Sequence, residues 1–268
     1  MKGYNVSTSE RYERHIVVKE IGGGGQQALA AAKVAIVGLG GLGNPLAQYL
    51  VAAGVGTGGD TKGDIGGGKI GLIDDDVVEL SNLQRQILFC EADIGKPKVQ
   101  CAAARLKALN SDCHIITHQC RLTPATADIL EDYDIIADAS DNFTTRFLIN
   151  DICQLQSTGQ KKVLVSAACT QFAGHITTFT PQSGLNYRDF VPEAPTPQDN
   201  HCATQGIIGA VAGVVGSLQA LEIIKEITKA GESLAGRVLI YDGLAATTRL
   251  VQLSPDKNLS PPPTHNYD

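Results

Sequence analysis

The feature that most constrains the fold is a short apolar strand that runs into a glycine-rich turn. Residues 34–37 are all apolar, and the turn Gly38-Leu39-Gly40-Gly41-Leu42-Gly43 follows at once. Gly38, Gly40 and Gly43 fit the pattern G-x-G-x-x-G, in which the backbone turns tightly and amide groups at a helix N-terminus can face an anion. Close-packed turns show the same pattern. The turn by itself therefore indicates either a nucleotide site or tight packing in an α/β fold.

Strand and helix patterns alternate along the first two thirds of the chain. Short apolar runs predict strands, and longer stretches with helical spacing predict helices. The predicted strands are 34–37, 69–73, 114–117, 133–137 and 162–166, and the predicted helices are 26–32, 42–53, 97–108, 124–130 and 144–155. This alternation predicts a doubly wound, mostly parallel, Rossmann-like α/β sheet. After Ala168, polar and apolar residues alternate over 175–180 and 247–253, which predicts half-exposed antiparallel strands that extend the sheet in the C-terminal third.

Length and glycine content bound the organisation of the chain. It has 268 residues, of which 43% are hydrophobic, and no internal repeat, which fits a single domain over 1–268. The run Gly22-Gly23-Gly24-Gly25 is expected to break the chain before the helix at 26–32. Three segments are expected to lie outside the sheet: a flexible glycine-rich insert at 57–68, a loop at 183–205 and a disordered tail at 254–268.

Charge, apolar runs and cysteines argue against several classes of protein. The net charge of −6 argues against nucleic acid as a main partner. The first ten residues lack the apolar stretch of a secretory signal. The longest uncharged apolar run, 206–221, is short for a membrane span and predicts a packed helix, in which Gly209, Gly213 and Gly216 admit close neighbours. Seven cysteines without a C-x-x-C pair indicate reduced thiols, so a cytoplasmic protein is expected.

Acidic residues after the second predicted strand supply another part of a candidate site. Asp74 is the candidate for binding ribose hydroxyls, although it lies 36 residues after Gly38 instead of about 20. The insert at 57–68 accounts for much of this excess, and it is expected at the edge of the sheet opposite the ligand crevice. Asp76 is a further candidate, whereas Asp75 is expected in an ordinary solvated turn.

The polar run Ser81-Asn82-Leu83-Gln84-Arg85-Gln86 follows these aspartates. Its amides and its guanidinium could surround a triphosphate, and Arg85 is suited to a charge-assisted fork on phosphate. Lys98 falls in the first turn of the helix predicted at 97–108, where the helix dipole opposes a cation unless an anion compensates it. A solvated lysine is the alternative interpretation.

The fourth predicted strand runs into Ala137-Asp138-Ala139-Ser140-Asp141-Asn142. Asp138 and Asp141 lie at its carboxyl end, inside the predicted crevice, and a carboxylate facing a triphosphate normally acts through Mg²⁺. As isolated residues they would more often be helix caps, and Asn142 could be that cap.

Together these residues resemble the E1-like adenylyltransferases that activate sulfur-carrier proteins, the ThiF/MoeB/HesA family. The resemblance spans residues 11–253, and the segments 86–89 and 217–222 are most similar to ThiF, the thiamine-pathway member. The motifs that carry it are Arg11-Tyr12-x-Arg14, the glycine turn, Asp74-x-Asp76, the run 81–86, Pro97-Lys98, Asp141-Asn142 and the segment 206–225.

The resemblance implies that ATP activates the C-terminal Gly-Gly carboxylate of a ubiquitin-like sulfur-carrier protein, for thiamine or alternatively molybdopterin synthesis. By resemblance, Gly41 and Asp74 hold the adenosine. Three further residues, Asn82, Arg85 and Lys98, hold the phosphates.

The same resemblance assigns roles outside the nucleotide pocket. Asp141 would bind Mg²⁺, and Arg14 would reach across a homodimer interface into the partner's site. Cys202 matches a cysteine that forms a persulfide-type link to the carrier, with a cysteine desulfurase or a rhodanese-like protein as possible sulfur donor. A spare surface cysteine is the alternative for Cys202.

One departure separates the chain from the family pattern. Family members usually carry two C-x-x-C pairs that bind structural zinc, and this chain has none. We therefore expect no structural zinc. Two other functions remain open. One is a Rossmann oxidoreductase that uses NAD, in which Arg85, Lys98 and Asp141 would have no role. The other is an inactive binding protein of the same fold.

Overall fold

A computed structural model describes residues 8–58, 67–154, 162–193 and 206–255. Its strands are β1 (Lys33–Val37), β2 (Lys69–Ile73), β3 (Ile115–His118), β4 (Ile135–Asp138), β5 (Val163–Thr170), β6 (Ala173–Phe179), β7 (Arg237–Asp242) and β8 (Thr247–Gln252). Its α-helices are α1 (Thr8–Arg11), α2 (Glu13–Ile16), α3 (Gly22–Ala31), α4 (Gly43–Ala52), α5 (Lys98–Leu109), α6 (Phe143–Gln154), α7 (Tyr187–Phe190) and α8 (Gly209–Thr228). Short 3-10 helices cover Leu80–Asn82, Glu91–Asp93 and Pro124–Asp132.

The eight strands form one sheet in the order β3-β2-β1-β4-β5-β6-β7-β8. The first five strands pair in parallel, and β6, β7 and β8 continue the sheet by antiparallel pairing. The predicted mixed α/β sheet is therefore confirmed. The chain moves outward from β1 to β3 and then returns to place β4 on the other side of β1. This reversal opens a crevice at the carboxyl ends of β1 and β4, where ligands of doubly wound sheets bind.

Both faces of the parallel sheet are covered. Val34 and Ile36 of β1 belong to the apolar cluster beneath α4, α5 and α8, whereas Ala35 and Val37 belong to the cluster on the opposite face. A strand buried on both faces has no polar side to present, which explains the continuous apolar run that marks β1 in the sequence. The covering helices hold β1 rigidly, and the turn that follows it has a fixed starting point.

Helix α8 crosses the sheet beside the glycine turn. Gly216 packs against the turn, since an added Cβ would lie 2.5 Å from the Leu42 carbonyl oxygen, and a Cβ at Gly209 would overlap the Gln84 carbonyl oxygen. The expectation of close packing is wrong for Gly213, which has no atom within 4 Å of its Cβ position. None of the helices in the described ranges is long and apolar enough to cross a membrane.

The structure corrects the prediction that Gly22 to Gly25 break the chain. These glycines form the first turn of α3, and Gly22 takes a φ of +58°. An added Cβ at Gly25 would lie 3.4 Å from the Thr228 side chain of α8, so tertiary packing supports a helix that glycine propensity disfavours.

Other differences concern the extended part of the sheet. Strand β7 was not predicted, because its residues are half-buried without a polar–apolar alternation. Strand β8 lies at the edge and is exposed along its whole length, not on one face as predicted. The segment predicted as helix at 124–130 is a 3-10 helix, and α7 falls inside the predicted loop at 183–205.

The predicted insert, loop and tail are only partly described. Residues 59–66, 194–205 and 256–268 lie outside the described residues. The N–H of Gly58 donates to the Ala30 carbonyl and the N–H of Lys69 donates to the Ala32 carbonyl. Both ends of the insert are thus anchored near the C-terminus of α3, at the edge of the sheet that holds the amino ends of β1 and β2.

The helical state of the glycine run gives a test. Gly24 is exposed in α3 with no atom within 4 Å of its Cβ position, so Gly24→Ala should raise the free energy of unfolding by about 0.5–1 kcal/mol. Chemical denaturation measures this change. Gly43→Ala is the matched opposite, because its Cβ would overlap the Gly38 carbonyl oxygen, and it should destabilise the protein. A loss of stability in Gly24→Ala would contradict the helix.

Candidate nucleotide-binding site

The glycine turn joins β1 to α4 at the bottom of the crevice. Gly38 has a φ of +94°, and an added Cβ there would lie 2.7 Å from the Ala139 carbonyl oxygen. Gly43 is equally enclosed by Gly38 itself, whereas Gly40 has no atom within 4 Å of its Cβ position. Gly38 and Gly43 thus serve tight packing, and Gly40 leaves the turn open on the side where a ligand can approach the backbone.

Asp74 connects the glycine turn to the end of β2. Its carboxylate accepts the Leu39 N–H at 2.7 Å and the Asp76 N–H at 2.9 Å. Burial raises the pKa of the Asp74 carboxyl above its ordinary value, and the neighbouring Lys98 ammonium offsets part of this shift. The structure therefore places Asp74 beside the glycine turn, where its carboxylate is half-buried.

Lys98 is the first residue of α5 and is almost fully buried. Its Nζ lies 2.8 Å from Asp76 Oδ2, and its N–H donates to the Asp76 carbonyl at 3.0 Å. The anion that compensates this cation against the helix dipole is therefore Asp76 of the same chain. Asp75 is exposed, as expected for a solvated turn. The three carboxylates have oxygens within 4.8 Å of one another, and Lys98 balances part of their charge.

The run 81–86 passes along one side of the glycine turn. Arg85 donates from Nη1 to the Ser81 carbonyl at 3.0 Å, and a Cβ at Gly41 would lie 3.4 Å from Arg85 Cγ. Arg85 forms no ion pair with any residue in the described ranges. Its guanidinium therefore stands beside the open turn with donors left for an anionic ligand.

The remaining polar residues of this run differ in their surroundings. Asn82 is buried, and its Oδ1 accepts the Glu79 N–H at 3.3 Å, which caps the 3-10 helix. The Ser81 hydroxyl donates to Glu79 at 3.2 Å, and Gln84 is exposed. Gln86 is buried, and its Oε1 has no hydrogen-bond partner among the described residues. A buried polar oxygen without a donor is costly, so Gln86 marks a place where a ligand or water would be stabilised.

Sequence reasoning missed Asn44, which holds the turn and the polar run together. Its Nδ2 donates to the Leu39 carbonyl at 2.8 Å, and its Oδ1 accepts the Leu88 N–H at 2.9 Å. The side chain is fully buried. An amide in the first turn of an otherwise apolar helix was the signal available in the sequence, but its two partners could not be deduced from spacing.

The two aspartates after β4 have opposite environments. Asp138 is buried and hydrogen-bonded at both carboxylate oxygens by Ser140, Ser166 and Arg146. Asp141 is exposed. Asn142 accepts the Thr145 N–H at 2.9 Å and is the cap of α6. Of these three residues, Asp141 is the exposed one, and its Oδ1 accepts a hydrogen bond from the Asn142 side-chain amide at 3.4 Å.

Arg14 lies away from the glycine turn of its own chain. The neighbouring Tyr12 is buried against Gly54, beyond the C-terminus of α4, and its hydroxyl accepts a hydrogen bond from Asn110 at 2.8 Å. The glycine turn is at the other end of α4, and ten helical residues span about 15 Å. Arg14 itself is exposed. The structure does not bring it together with Asp74, Arg85, Lys98 and Asp141 of the same chain.

Cys202 lies outside the described residues, so the structure gives it no position. No disulfide bond joins any two of the cysteines that the structure describes.

Known proteins are similar to this chain over most of its length. The sequence model of the ThiF family matches residues 12–261. The adenylyltransferase and sulfurtransferase MOCS3 of Sus scrofa is 46% identical over 245 residues, which cover 91% of this chain and 50% of that protein. The SAMP-activating enzyme E1 of Haloferax volcanii is 41% identical over 244 residues, which cover 90% of this chain and 84% of that protein. The chain thus spans about half the length of the MOCS3 proteins that it matches.

Solved structures share the fold. E. coli MccB with ATP superposes with a TM-score of 0.76 at 22% identity, covering 96% of this chain and 75% of MccB. PaaA superposes with a TM-score of 0.74 at 21% identity, covering 94% of this chain and 76% of PaaA. The family model matches nearly the whole chain, and the match includes the glycine turn and the residues around it. This protein therefore belongs to the ThiF family.

Proposed function

We propose that this protein adenylates the C-terminal Gly-Gly carboxylate of a ubiquitin-like sulfur-carrier protein with ATP. The observation that carries the proposal is the position of Arg85, which lies against Gly41 without an acidic partner among the described residues. A half-buried guanidinium beside an open glycine turn fits phosphate. The relatives are an adenylyltransferase and sulfurtransferase and a SAMP-activating enzyme, and they support the same reaction class.

The proposed reaction needs charge stabilisation more than acid–base chemistry. An α-carboxyl group has a pKa of about 3.3–3.7, so the carrier's terminus is already ionised and needs no general base. One carboxylate oxygen attacks the α-phosphorus, the bond from that phosphorus to the bridging oxygen of the β-phosphate breaks, and pyrophosphate leaves. The acyl-adenylate retains the AMP moiety. The protein's task is to hold both groups in line and to stabilise charge on the phosphates.

The residues present fit the nucleotide. Gly40 leaves the backbone accessible, whereas Gly41 packs against Ala212 and Arg85, and the buried Gln86 oxygen has no hydrogen-bond donor among the described residues. Asp74 would accept from a ribose hydroxyl, while Asn82, Arg85 and Lys98 would hold the phosphates. The Lys98 ammonium donates one hydrogen bond to Asp76, and its other N–H groups remain available to phosphate. Gly38 and Gly43 would shape the turn, and Ser81, Gln84 and Asn142 would border the pocket.

The donor set also fits a divalent cation at Asp141. An exposed carboxylate oxygen is the ligand type that Mg²⁺ prefers, and Mg²⁺ usually binds through one or two carboxylates together with phosphate oxygens. When bound, the ion would neutralise charge on the phosphates. Asp141 would hold it, whereas Asp138 has no free lone pair directed to solvent.

An exposed apolar surface supports a homodimer. Tyr49 of α4, Val214 and Leu221 of α8, and the neighbouring Ile87 and Leu109 are all exposed, and Ile87 is 68% exposed. A groove of about 410 Å³ runs between α4 and α8. Contiguous exposed apolar surface of this kind marks protein–protein interfaces.

A second copy of the chain is the occupant that we propose for this groove. The Arg11 guanidinium donates to the Leu109 carbonyl at 3.1 Å, so the segment that carries Arg14 borders the same surface. A symmetric dimer uses one patch on both subunits. Arg14 would then lie at the interface, close enough to serve the partner's site although it is remote from its own.

Sulfur transfer is the part of the proposal that rests on resemblance alone. Cys202 would take part in it, with a cysteine desulfurase or a rhodanese-like protein as donor. Thiamine synthesis and molybdopterin synthesis fit the relatives equally, so the proposal extends to the carriers of either pathway.

Carrier-dependent exchange tests the adenylation step. The protein, Mg-ATP and a carrier ending in Gly-Gly should exchange radiolabelled pyrophosphate into ATP, and Lys98→Ala or Arg85→Ala should reduce the exchange rate by about 10²-fold or more. Lys107→Ala is the matched control, because Lys107 lies near the opposite end of α5 and should leave the rate unchanged. Absence of pyrophosphate exchange with every Gly-Gly carrier of the organism would contradict the proposal.

Mixed dimers test the role of Arg14. Arg14→Ala and Asp141→Ala should each be inactive alone, but a mixture allowed to exchange subunits should recover activity, because one site of each mixed dimer has both native residues. Random mixing makes about half of the dimers mixed and gives each one active site, so about a quarter of the wild-type rate is expected. No recovery in demonstrated mixed dimers would show that Arg14 acts within its own chain or not at all.

The missing C-x-x-C pairs give a metal prediction. Purified protein should contain well below one zinc per chain by elemental analysis, because the sequence lacks the paired cysteines of a structural zinc site. One tightly bound zinc per chain would contradict this expectation.

A further inference from the structure

A buried ion pair lies directly beneath the crevice. Asp138 ends β4, Arg146 lies in α6, and their side chains, only 1% and 6% exposed, meet at 3.2 Å. Burial lowers the pKa of the Arg146 guanidinium, but the Asp138 carboxylate and Tyr187 raise it more. Burying two charges costs free energy unless additional hydrogen bonds satisfy them. The hydrogen-bond partners of this pair therefore identify the part of the fold that it stabilises.

Both members of the pair hold the same residue, Ser140. Asp138 Oδ1 accepts the Ser140 N–H at 3.1 Å and the Ser140 hydroxyl at 2.6 Å. Arg146 Nη2 donates to the Ser140 carbonyl. Every polar group of Ser140 is therefore bound by one side or the other of the ion pair. Ser140 is the residue immediately before Asp141.

The pair is itself anchored to the sheet. Arg146 Nη1 donates to the Ala167 carbonyl at 3.0 Å, and the Ser166 hydroxyl donates to Asp138 Oδ2 at 2.8 Å. Both contacts lie on β5, which pairs with β4. Gln219 of α8 donates to the Asp138 carbonyl at 2.9 Å. The ion pair that holds Ser140 is thus anchored to β5 and α8.

The loop is also fixed on either side of Ser140 and Asp141. The Ala139 N–H donates to the Val37 carbonyl at 2.9 Å, and the Ala139 carbonyl oxygen is in close contact with Gly38. On the other side, the Arg146 N–H donates to the Asn142 carbonyl at 3.2 Å. Within these four residues of the loop, Asp141 is the exposed one.

We propose that the Asp138–Arg146 pair is a positioning element that fixes the Asp141 carboxylate for a divalent cation bound with the nucleotide. The inference rests on the proposed function and deepens it. Neither member of the pair is placed to bind nucleotide or metal directly, because both side chains are buried. Arg146 acts through the Ser140 carbonyl, so it is a positioning residue and Asp141 is the ligand. Partners that orient a metal ligand typically change metal affinity about 10–100-fold when they are replaced.

Arg146→Lys is the primary test. A lysine ammonium can retain the charge opposite Asp138, but it lacks the planar fork that reaches both Ser140 and Ala167. With ATP present, Mn²⁺ binding measured by electron paramagnetic resonance should weaken about 10–100-fold, whereas ATP affinity measured in EDTA should change by no more than about two-fold. The same variant should need more Mg²⁺ for half-maximal pyrophosphate exchange.

Arg188→Lys is the matched control. Arg188 pairs with Asp151 at 2.8 Å, also beside α6, and it contacts none of residues 139–142 in the hydrogen bonds described. Mn²⁺ affinity should not change in this variant. A loss equal to that of Arg146→Lys would show a general effect of weakened ion pairs and would overturn the proposal.

A second variant covers the case in which Arg146→Lys does not fold. The double change Asp138→Leu with Arg146→Met removes both charges, and replacement of a buried pair by apolar residues often preserves stability. It releases Ser140 and should weaken Mn²⁺ binding as Arg146→Lys does. Native Mn²⁺ affinity in either folded variant would overturn the proposal.

The outcomes separate this inference from the proposed function. If no carrier supports exchange but Arg146→Lys still weakens Mn²⁺ binding selectively, adenylation is wrong and the positioning role stands. If exchange occurs and Mn²⁺ affinity is unchanged, the positioning role alone is wrong. Equal losses of ATP affinity with and without metal, or a wild-type protein that binds no Mn²⁺ with ATP, also overturn the positioning role.

Discussion

The close approach of the backbone at Gly38 to that at Ala139 is the constraint on which the site depends. A Cβ at Gly38 would lie 2.7 Å from the Ala139 carbonyl oxygen, so no side chain can stand between the ends of β1 and β4. The two strands pair in parallel up to Val37 and Asp138, and their loops therefore leave the sheet side by side. One loop becomes the glycine turn, and the other carries Asp141. The nucleotide side and the proposed metal side of the crevice therefore meet at this contact.

Charge in the crevice is arranged so that most of it is balanced within the chain. Lys98 is paired with Asp76, and Arg146 is paired with Asp138. Arg85 has no acidic partner in the described ranges, and Asp141 is exposed. A phosphate group would meet the unpaired guanidinium, and a divalent cation would meet the exposed carboxylate. The buried Asp138–Arg146 pair sets the geometry, while Arg85, Asp141 and the remaining donors of Lys98 are free to bind, which is the division expected of a preorganised site.

The parallel part of the fold could be predicted because its strands are buried on both faces and leave continuous apolar runs. Local patterns failed where tertiary contacts override them. Glycine propensity argues against α3, yet Gly25 packs near Thr228 of α8, and β7 has no clean alternation because each of its faces is only partly covered. The glycine turn, Asp74 and Arg85 were candidates from the sequence, because each is a residue type suited to nucleotide binding that follows a predicted strand. Asn44 and Arg146 were missed, because their roles lie in contacts with residues 44 and 20 positions away, such as Leu88 and Ser166.

Asp138 and Asp141 show why residue type and position are insufficient to assign a metal ligand. They lie three residues apart at the same strand end, and both were candidates from the sequence. Asp138 is still in register with β4 and faces the core, so its oxygens are taken by Ser140, Ser166 and Arg146. Using it as a ligand would require breaking these bonds and leaving Arg146 buried without its partner, which costs several kcal/mol. The chain has left the sheet by Asp141, and its carboxylate can bind a cation at no such cost. The buried aspartate therefore sets the position from which the exposed one acts.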